Sequence, residues 1–492
     1  MLLTMEPTLP SLDQLNFTNR FAALPLDFYS KVMPQGISDP YLIAVSKSCA
    51  DMVELSGTES YQFLAVMSGN QILPQMQPLA ALYSGHQFGV YNPQLGDGRA
   101  LLLGDITTSQ GSHFDIQLKG AGTTPYSRSA DGRAALRSSI REFLCSEAMA
   151  GLGIPTTRAL SLIGSDMPIY REEVETAAVV SRIAPSHVRF GSFEIFHYTN
   201  REQHVKQLAD HVISNHLPDL QALENPYAGL LQDAVTTTAN MIAQWQAVGF
   251  CHGVMNTDNM SILGITIDYG PFAFLDDYQP KFVCNHSDTS GRYAFDQQPA
   301  IGLWNLNALA HALSTLVSKE EIVASLALYE PQLVTSFSAI MRSKLGLTSE
   351  HDSDQALISG LFDLMANNQS DYTNTFRSLA HFAQDGNNES LRNNFVDRQA
   401  FDVWAEQYSV RLAIENSTDA IRSKAMNKVN PKFILRNYLA QNAIDAANRK
   451  DFSEIQNLLA VLSAPFDEHS ELEHYANSPP DWGKTLEISC SS

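Results

Sequence analysis

Residues able to carry out chemistry occur in three groups, and the first is a Gly-rich stretch from residue 85 to residue 99. It ends with Gly96, Gly98 and Arg99, directly before the apolar run 100–103. Glycines at the start of a strand let backbone N–H groups approach phosphate, and an arginine adds a fixed positive charge. The Gly-Asp-Gly pattern is equally typical of a β-turn without a ligand. Taken alone, the stretch leaves both interpretations open.

The second group pairs Lys119 with Glu142. Lys119 ends an alternating segment and precedes Gly-Ala-Gly, whereas Glu142 lies in the helical pattern that follows. A lysine in this position neutralises phosphate when a carboxylate from a neighbouring helix holds it. A solvated lysine at a strand end is the commoner case for such a residue by itself. The functional interpretation depends on the order in which the three groups follow one another.

The third group consists of Asp258, Asn259 and Asp268, which are hard oxygen donors. Two short β-like runs, 260–263 and 265–267, flank a glycine between them and predict a small hairpin that folds Asn259 back towards Asp268. Mg²⁺ takes one or two protein oxygens together with phosphates and water. The alternative for the Asp-Tyr-Gly segment alone is an ordinary turn. The full set favours a metal–nucleotide site.

The elements that must position these residues follow from hydrophobic periodicity. The apolar run 100–103 and the alternating apolar positions in 114–119 predict a hairpin, and three- and four-residue steps between Leu136 and Ala148 predict an amphipathic helix. After about residue 196 the pattern is helical, with segments near 231–248 and 303–316. Further helices are predicted near 320–345, 355–367, 373–384, 400–415 and 441–463. The fold class is therefore α+β.

Composition narrows the classes of function. The chain has 492 residues, 44% of them hydrophobic, and its net charge is 32 − 53 = −21, which repels nucleic acid. The first residues show no basic segment and no apolar run long enough for a signal peptide, and nowhere are about 18 apolar residues consecutive, so we expect a cytoplasmic protein with no membrane partner. The five cysteines are widely spaced without a C-x-x-C pair, which argues against zinc and against a disulfide scaffold.

The order of the three groups resembles the order of motifs in a protein-kinase-like fold. We expect two lobes with a nucleotide between them: a Gly-rich, mixed N-terminal lobe over 1–195 and a helical C-terminal lobe over 196–492. A kinase places its catalytic base five residues before the metal-binding asparagine, and Val254 stands there. Its side chain cannot take a proton, which argues against conventional phosphoryl transfer. The nearest carboxylate is Asp258.

Longer stretches make the resemblance more specific. GHQFGVYNPQLGDGRA, DIQLKGAGTTPYSRSADGRAALRSSIREFL and GFCHGVMNTDNMSILGITIDYGPF closely resemble the selenoprotein O family and its bacterial branch, YdiU, from about residue 80 to 300. The resemblance implies a pseudokinase that binds ATP in a flipped orientation and transfers AMP to Ser, Thr or Tyr hydroxyls of proteins. It also implies UMP transfer from UTP with Mn²⁺. A conventional phosphotransferase and a non-catalytic ATP-binding pseudokinase scaffold stay open as alternatives.

The resemblance also assigns roles to individual residues. Asp258 would accept the proton, Asn259 and Asp268 would bind Mg²⁺ or Mn²⁺ with Asp268 also contacting the nucleotide, and Glu142 would position Lys119. A flipped nucleotide releases pyrophosphate, whose charge calls for additional arginine. The residues assigned to the nucleotide are Gly96, Gly98, Arg99, Lys119, Asp131, Gly132, Arg182, Arg189 and Asp268.

Two cysteines are candidates for redox control. Cys490 lies in a polar tail, where eukaryotic relatives in the resembled family carry selenocysteine, and Cys284 lies shortly after the Asp-Tyr-Gly segment. A Cys284–Cys490 disulfide controlling that segment is one hypothesis. Two independent reduced thiols are the alternative, which the cytosolic redox poise favours.

Overall fold

The computed structural model describes residues 9–384 and 386–486, in which a strand-rich N-terminal part precedes a helical C-terminal part. The α+β prediction is confirmed. The strands are β1 Phe17–Thr18, β2 Tyr29–Lys31, β3 Tyr41–Val45, β4 Leu79–Ala81, β5 Gly85–Gln87, β6 Val90–Asn92, β7 Ala100–Thr107, β8 His113–Lys119, β9 Ala134–Ala135, β10 Arg158–Tyr170, β11 Val174–Ala184, β12 Phe250–Cys251 and β13 Ala273–Phe274.

Helices dominate the rest of the described chain. They are α1 Lys47–Met52, α2 Tyr61–Met67, α3 Leu136–Gly151, α4 Phe190–Tyr198, α5 Glu202–His216, α6 Pro226–Val248, α7 Gln298–Ala312, α8 Lys319–Leu326, α9 Tyr329–Lys344, α10 Asp354–Asn368, α11 Tyr372–Ser378, α12 Glu389–Arg392, α13 Arg398–Leu412, α14 Asp419–Met426, α15 Asn437–Asn448, α16 Ser453–Ser463 and α17 Asp481–Lys484. None of the described helices has the length and apolar character needed to cross a bilayer.

Within the described residues, nine strands form one antiparallel sheet in the order β2-β4-β7-β8-β11-β10-β3, with β1 against β7 and β9 against β11. The register decides where the charged residues meet. Lys119 lies opposite Val180 on β11, and Gln117 lies opposite Arg182. Because side chains two residues apart on a strand share a face, Lys119 and Arg182 project from the same side of the sheet.

Helix α3 packs on the sheet and carries Glu142. Its apolar residues Ile140, Phe143 and Leu144 are fully buried, as the predicted amphipathic pattern requires. The late helices α15 and α16 pack against α3. At Gly151, the last residue of α3, an added Cβ would collide with the backbone oxygen of Leu462 in α16. Helices α15 and α16 therefore hold α3, the helix that follows Lys119 in the chain, in its place.

Helix α6 leads into the loop that contains Asp258. The Asn225 side chain accepts hydrogen bonds from the first-turn amides of α6, and Gly249 ends it in the left-handed conformation at φ 71°. A 3₁₀ turn, Thr257–Asn259, follows β12. The predicted small hairpin is reduced to one antiparallel bridge, between Met260 and Thr266.

Other predicted boundaries differ in detail. The segment expected near 320–345 is two helices, α8 and α9, and the segment near 441–463 is divided into α15 and α16. The second division occurs where Lys450 adopts a left-handed conformation, φ 65°, which a continuous helix does not accommodate. The expected lobe boundary at residue 195 falls inside α4, and the division 1–195 and 196–492 stays a prediction.

Candidate active site

One cavity of about 330 Å³ lies where the β7–β8 hairpin and α3 meet the loop after α6. The sequence predicted twelve residues around a nucleotide and a metal, and all twelve line this cavity. They are Gly96, Gly98, Arg99, Lys119, Asp131, Gly132, Glu142, Arg182, Arg189, Asp258, Asn259 and Asp268. The fold thus brings these residues together from distant parts of the chain. The roles assigned to them stay predictions.

The Gly-rich loop is held in one conformation from two sides. Gly96 has φ 126°, and a Cβ there would lie 2.6 Å from the Tyr126 ring, so only glycine fits. Thr124 donates a hydrogen bond to the Asp97 carbonyl at 2.7 Å. The buried Asp97 carboxylate accepts from the Ala81 amide at 3.1 Å. A loop fixed in this way keeps its backbone close to whatever occupies the cavity.

A buried ion-pair network begins at Lys119. Its Nζ donates to Glu142 Oε2 at 2.5 Å, and Arg182 donates to Glu142 Oε1 at 2.5 Å. Burial, together with the neighbouring charge of Arg182, lowers the pKa of Lys119 to about 8. Burial opposes ionisation of Glu142, but Arg182 and Lys119 overcome it and hold the pKa of Glu142 below its ordinary value. Glu142 therefore contacts both cations, and its predicted role in positioning Lys119 stays a prediction.

Asp268 continues the network from the other side of the cavity. Arg182 contacts Asp268 Oδ1 at 2.5 Å, and Arg189 forms a close ion pair with Oδ2. Burial opposes ionisation, yet the two guanidinium groups keep the pKa of Asp268 well below its ordinary value. Three cations, Lys119, Arg182 and Arg189, face two carboxylates, Glu142 and Asp268, which leaves one positive charge in excess. This excess suits an anionic ligand such as a phosphate chain.

Asp258 has a different environment from Asp268. It is 8% exposed, and its Oδ1 atom has no hydrogen-bond partner among the described residues. Its Oδ2 atom accepts one bond, from Gln87 Nε2 at 3.2 Å. Burial raises the pKa of Asp258 to about 7, although the charge of Arg189 opposes the shift. A carboxylate with so few hydrogen bonds is suited to take up a proton.

Asn259 and Asp268 are the two residues that the sequence predicted to bind a cation. The Asn259 amide nitrogen donates to the Val254 carbonyl at 2.9 Å, which orients the side chain. No cluster of three or more His, Cys, Asp or Glu side chains suited to a metal occurs in 9–384 and 386–486. Two oxygen donors fit a cation such as Mg²⁺ only if phosphates and water complete the coordination. The donor set therefore fits a metal that binds together with a nucleotide.

The mouth of the cavity includes a residue that sequence reasoning missed. Arg171, in the turn between β10 and β11, donates to both oxygens of Asp131 at 2.9 and 3.0 Å. Asp131 also accepts from the Arg133 amide at 2.9 Å, next to Gly132. Arg171 precedes two glutamates in an acidic turn, so its sequence context gave no sign of this contact. The Arg171–Asp131 contact depends on where the long β10–β11 hairpin ends.

Other residues of the cavity wall were also not predicted, among them Tyr83, Gln87, Asp97 and Arg141. Gln87 and Asp97 lie inside the Gly-rich stretch, and Arg141 directly precedes Glu142. Only this proximity to the motifs could have indicated from the sequence that they line the cavity. Tyr83 places its ring 4.8 Å from the Arg189 guanidinium. Such a cation–π contact helps to retain the arginine in a buried position.

The structure also locates two other sequence features. His252, in the loop after α6, is buried and its Nε2 lies 3.0 Å from the Ile267 carbonyl, a contact that connects two parts of this loop. Cys284 is buried with its Sγ 3.4 Å from that of Cys251, and burial raises the pKa of Cys284 well above its ordinary value. Cys490 lies outside the described residues, so the Cys284–Cys490 disulfide stays a hypothesis.

Comparisons with known proteins agree with the motif order. The family described as "Protein adenylyltransferase SelO" matches residues 11–463. A protein of Myxococcus xanthus named "Protein nucleotidyltransferase YdiU" is 54% identical over 486 residues, which cover 98% of this chain and 100% of that protein. Proteins of the same name from Vibrio cholerae and Pseudomonas fluorescens are 54% and 51% identical, covering 97% and 98% of this chain and 99% and 100% of their own lengths.

Proposed function

The chain belongs to the SelO/YdiU family of nucleotidyltransferases, and from this premise we propose that it transfers AMP from ATP to Ser, Thr or Tyr hydroxyls of proteins. In this proposal a two-lobed, kinase-like arrangement holds ATP in a flipped orientation. The strand-rich part supplies the phosphate-binding residues, and the loop after α6 supplies the base and the metal ligands.

The observation that carries the proposal is the position of Asp258. This buried carboxyl, with a pKa of about 7, lines the same cavity as the network of Lys119, Arg182 and Arg189. A base beside a cluster of phosphate-binding cations is the arrangement that transfer to a hydroxyl requires. Val254 occupies the position of the catalytic base in a kinase, and its side chain cannot accept a proton. This also supports the proposal, because it argues against conventional phosphoryl transfer.

The proposed step transfers AMP from ATP to the oxygen of an acceptor hydroxyl. The acceptor hydroxyl gives its proton to the Asp258 carboxylate while its oxygen forms a bond to the α-phosphorus. The bond from that phosphorus to the bridging oxygen breaks, and pyrophosphate leaves with the electron pair. Arg182 and Arg189 stabilise the departing charge, and Lys119, oriented by Glu142, holds a phosphate oxygen. A bound Mg²⁺ or Mn²⁺, held by Asn259 and Asp268, would supply further neutralisation of the phosphates.

One experiment separates this function from its two alternatives. The full chain is incubated with Mg²⁺ or Mn²⁺ and a mixture of acceptor proteins, with ATP labelled at either the α or the γ position. Protein-bound α label supports adenylyl transfer, γ label supports a conventional phosphotransferase, and binding of ATP without either label supports a scaffold. Labelled UTP in a parallel reaction tests UMP transfer. Asp258→Asn, which keeps the size of the side chain, is the matched control.

A further inference from the structure

The hairpin formed by β5 and β6, residues 85–92, lies directly against the loop that contains Asp258. The His86 amide donates to the Thr257 hydroxyl at 2.7 Å. The Phe88 amide donates to the Tyr293 hydroxyl at 2.9 Å. Two backbone contacts, on either side of Gln87, therefore fix the hairpin to the segments that follow α6.

Gly85 and Gln87 bring this hairpin against the carboxylate itself. A Cβ placed on Gly85 would lie 2.7 Å from Asp258 Oδ1 and 2.9 Å from Asp258 Cβ, so the backbone passes directly over the side chain. On the other oxygen, Gln87 Nε2 donates at 3.2 Å, and no other side chain of the described residues donates a hydrogen bond to this carboxylate. Gln87 also lines the cavity.

The orientation of the Gln87 amide is itself determined. Asn92, across the hairpin, donates from its Nδ2 to Gln87 Oε1 at 3.4 Å. This contact occupies the oxygen end of the amide, so its NH₂ group faces Asp258. A side chain anchored at one end and directed at the proton acceptor with the other does not need to reorganise during a reaction.

We infer that Gln87 is a positioning residue for nucleotidyl transfer, which holds the Asp258 carboxylate in the orientation that receives the proton of the acceptor hydroxyl. The inference rests on the proposed function, because it assigns to Gln87 a task in the same step. Gln87 exchanges no proton and forms no bond to the nucleotide. Its loss therefore slows the chemical step and leaves nucleotide binding intact.

The test compares Gln87→Met with Gln94→Met in the full chain. Gln94 is exposed in the adjoining loop and its side chain makes no hydrogen bond within the described residues, so it controls for the chemical change. We expect Gln87→Met to lower kcat by roughly 10- to 100-fold, as loss of a supporting hydrogen bond does elsewhere. KM for ATP, affinity for a non-hydrolysable ATP analogue and the unfolding temperature should match those of Gln94→Met. Asn92→Leu, which frees the amide, should lower kcat less.

The outcomes separate the inference from its premise. If wild-type protein transfers no α label, the proposed function is wrong and this role is wrong with it. If wild-type protein transfers label and Gln87→Met is as fast as Gln94→Met, the role of Gln87 alone is overturned. A parallel loss of kcat and analogue affinity would also overturn it, since that pattern indicates a distorted cavity. Should Gln87→Met not fold, an unchanged kcat in Asn92→Leu overturns the inference and a lowered kcat supports it.

Discussion

Replacing Glu142 with glutamine tests the centre of the ion-pair network. Glu142 is 4% exposed, and its two oxygens contact Lys119 and Arg182 at 2.5 Å each. Glutamine keeps the size of the side chain but removes the charge, so Lys119, Arg182 and Arg189 would face Asp268 alone. Removing one partner of a buried ion pair costs about 3–5 kcal/mol. We expect the free energy of unfolding of Glu142→Gln to fall by that amount.

Urea unfolding followed by circular dichroism measures this change, with Glu175→Gln as the matched control. Glu175 pairs with Arg137 at 3.1 Å, and the two side chains are 17% and 32% exposed, so this pair should contribute only about 0–1 kcal/mol. Because phosphates replace the lost negative charge, saturating ATP with Mg²⁺ should raise the unfolding temperature of Glu142→Gln more than that of the wild type. Equal losses of stability in the two variants would refute the reasoning.

Three further predictions concern Asp258, Asp268 and Lys344. Asp258→Asn should slow α-label transfer by at least about 100-fold without loss of ATP-analogue affinity, because only the proton acceptor is removed. An unchanged rate would contradict the role of Asp258. Asp268→Ala should abolish transfer, since it removes the proposed metal ligand and leaves Arg189 without its carboxylate partner, and metal titration of the labelling reaction checks this. Lys344 is 2% exposed, and burial lowers its pKa to about 7. Above that pH Lys344 is neutral in the folded protein, whereas in the unfolded chain the lysine keeps its ordinary pKa and still holds its proton. Stability should therefore rise by about 2 kcal/mol between about pH 7 and pH 9 in urea unfolding, and Lys344→Met but not the exposed control Lys424→Met should remove that rise.

The sequence allowed Lys119 and Glu142 to be singled out because both lie in regular elements, whereas the roles assigned to them stay predictions. Lys119 closes a strand with an alternating pattern, and Glu142 follows on a helix with strong apolar periodicity. Once α3 packs on the sheet, both side chains reach the same cavity. The Gly-rich loop was singled out by its glycines, and at Gly96 the Tyr126 ring leaves no space for a side chain.

Contacts that depend on tertiary geometry could not be predicted. Arg171 contacts Asp131 because the long β10–β11 hairpin ends beside the cavity. The local sequence does not indicate where in space the end of this hairpin lies. The contact of Gln87 with Asp258 joins residues 171 positions apart. The small hairpin between 260 and 267 was predicted as two strands, but a single bridge forms there because β-like runs of three or four residues offer few ladder bonds.

The packing of α15 and α16 on α3 has a consequence for the order in which the protein is made. Residues 96–268 leave the ribosome long before residues 437–463, yet the helix bearing Glu142 acquires its final neighbours only from that last stretch. A nascent chain therefore carries every residue of the cavity without the support that fixes their arrangement. The packing around Glu142 is therefore complete only once residues 437–463 have been added to the chain.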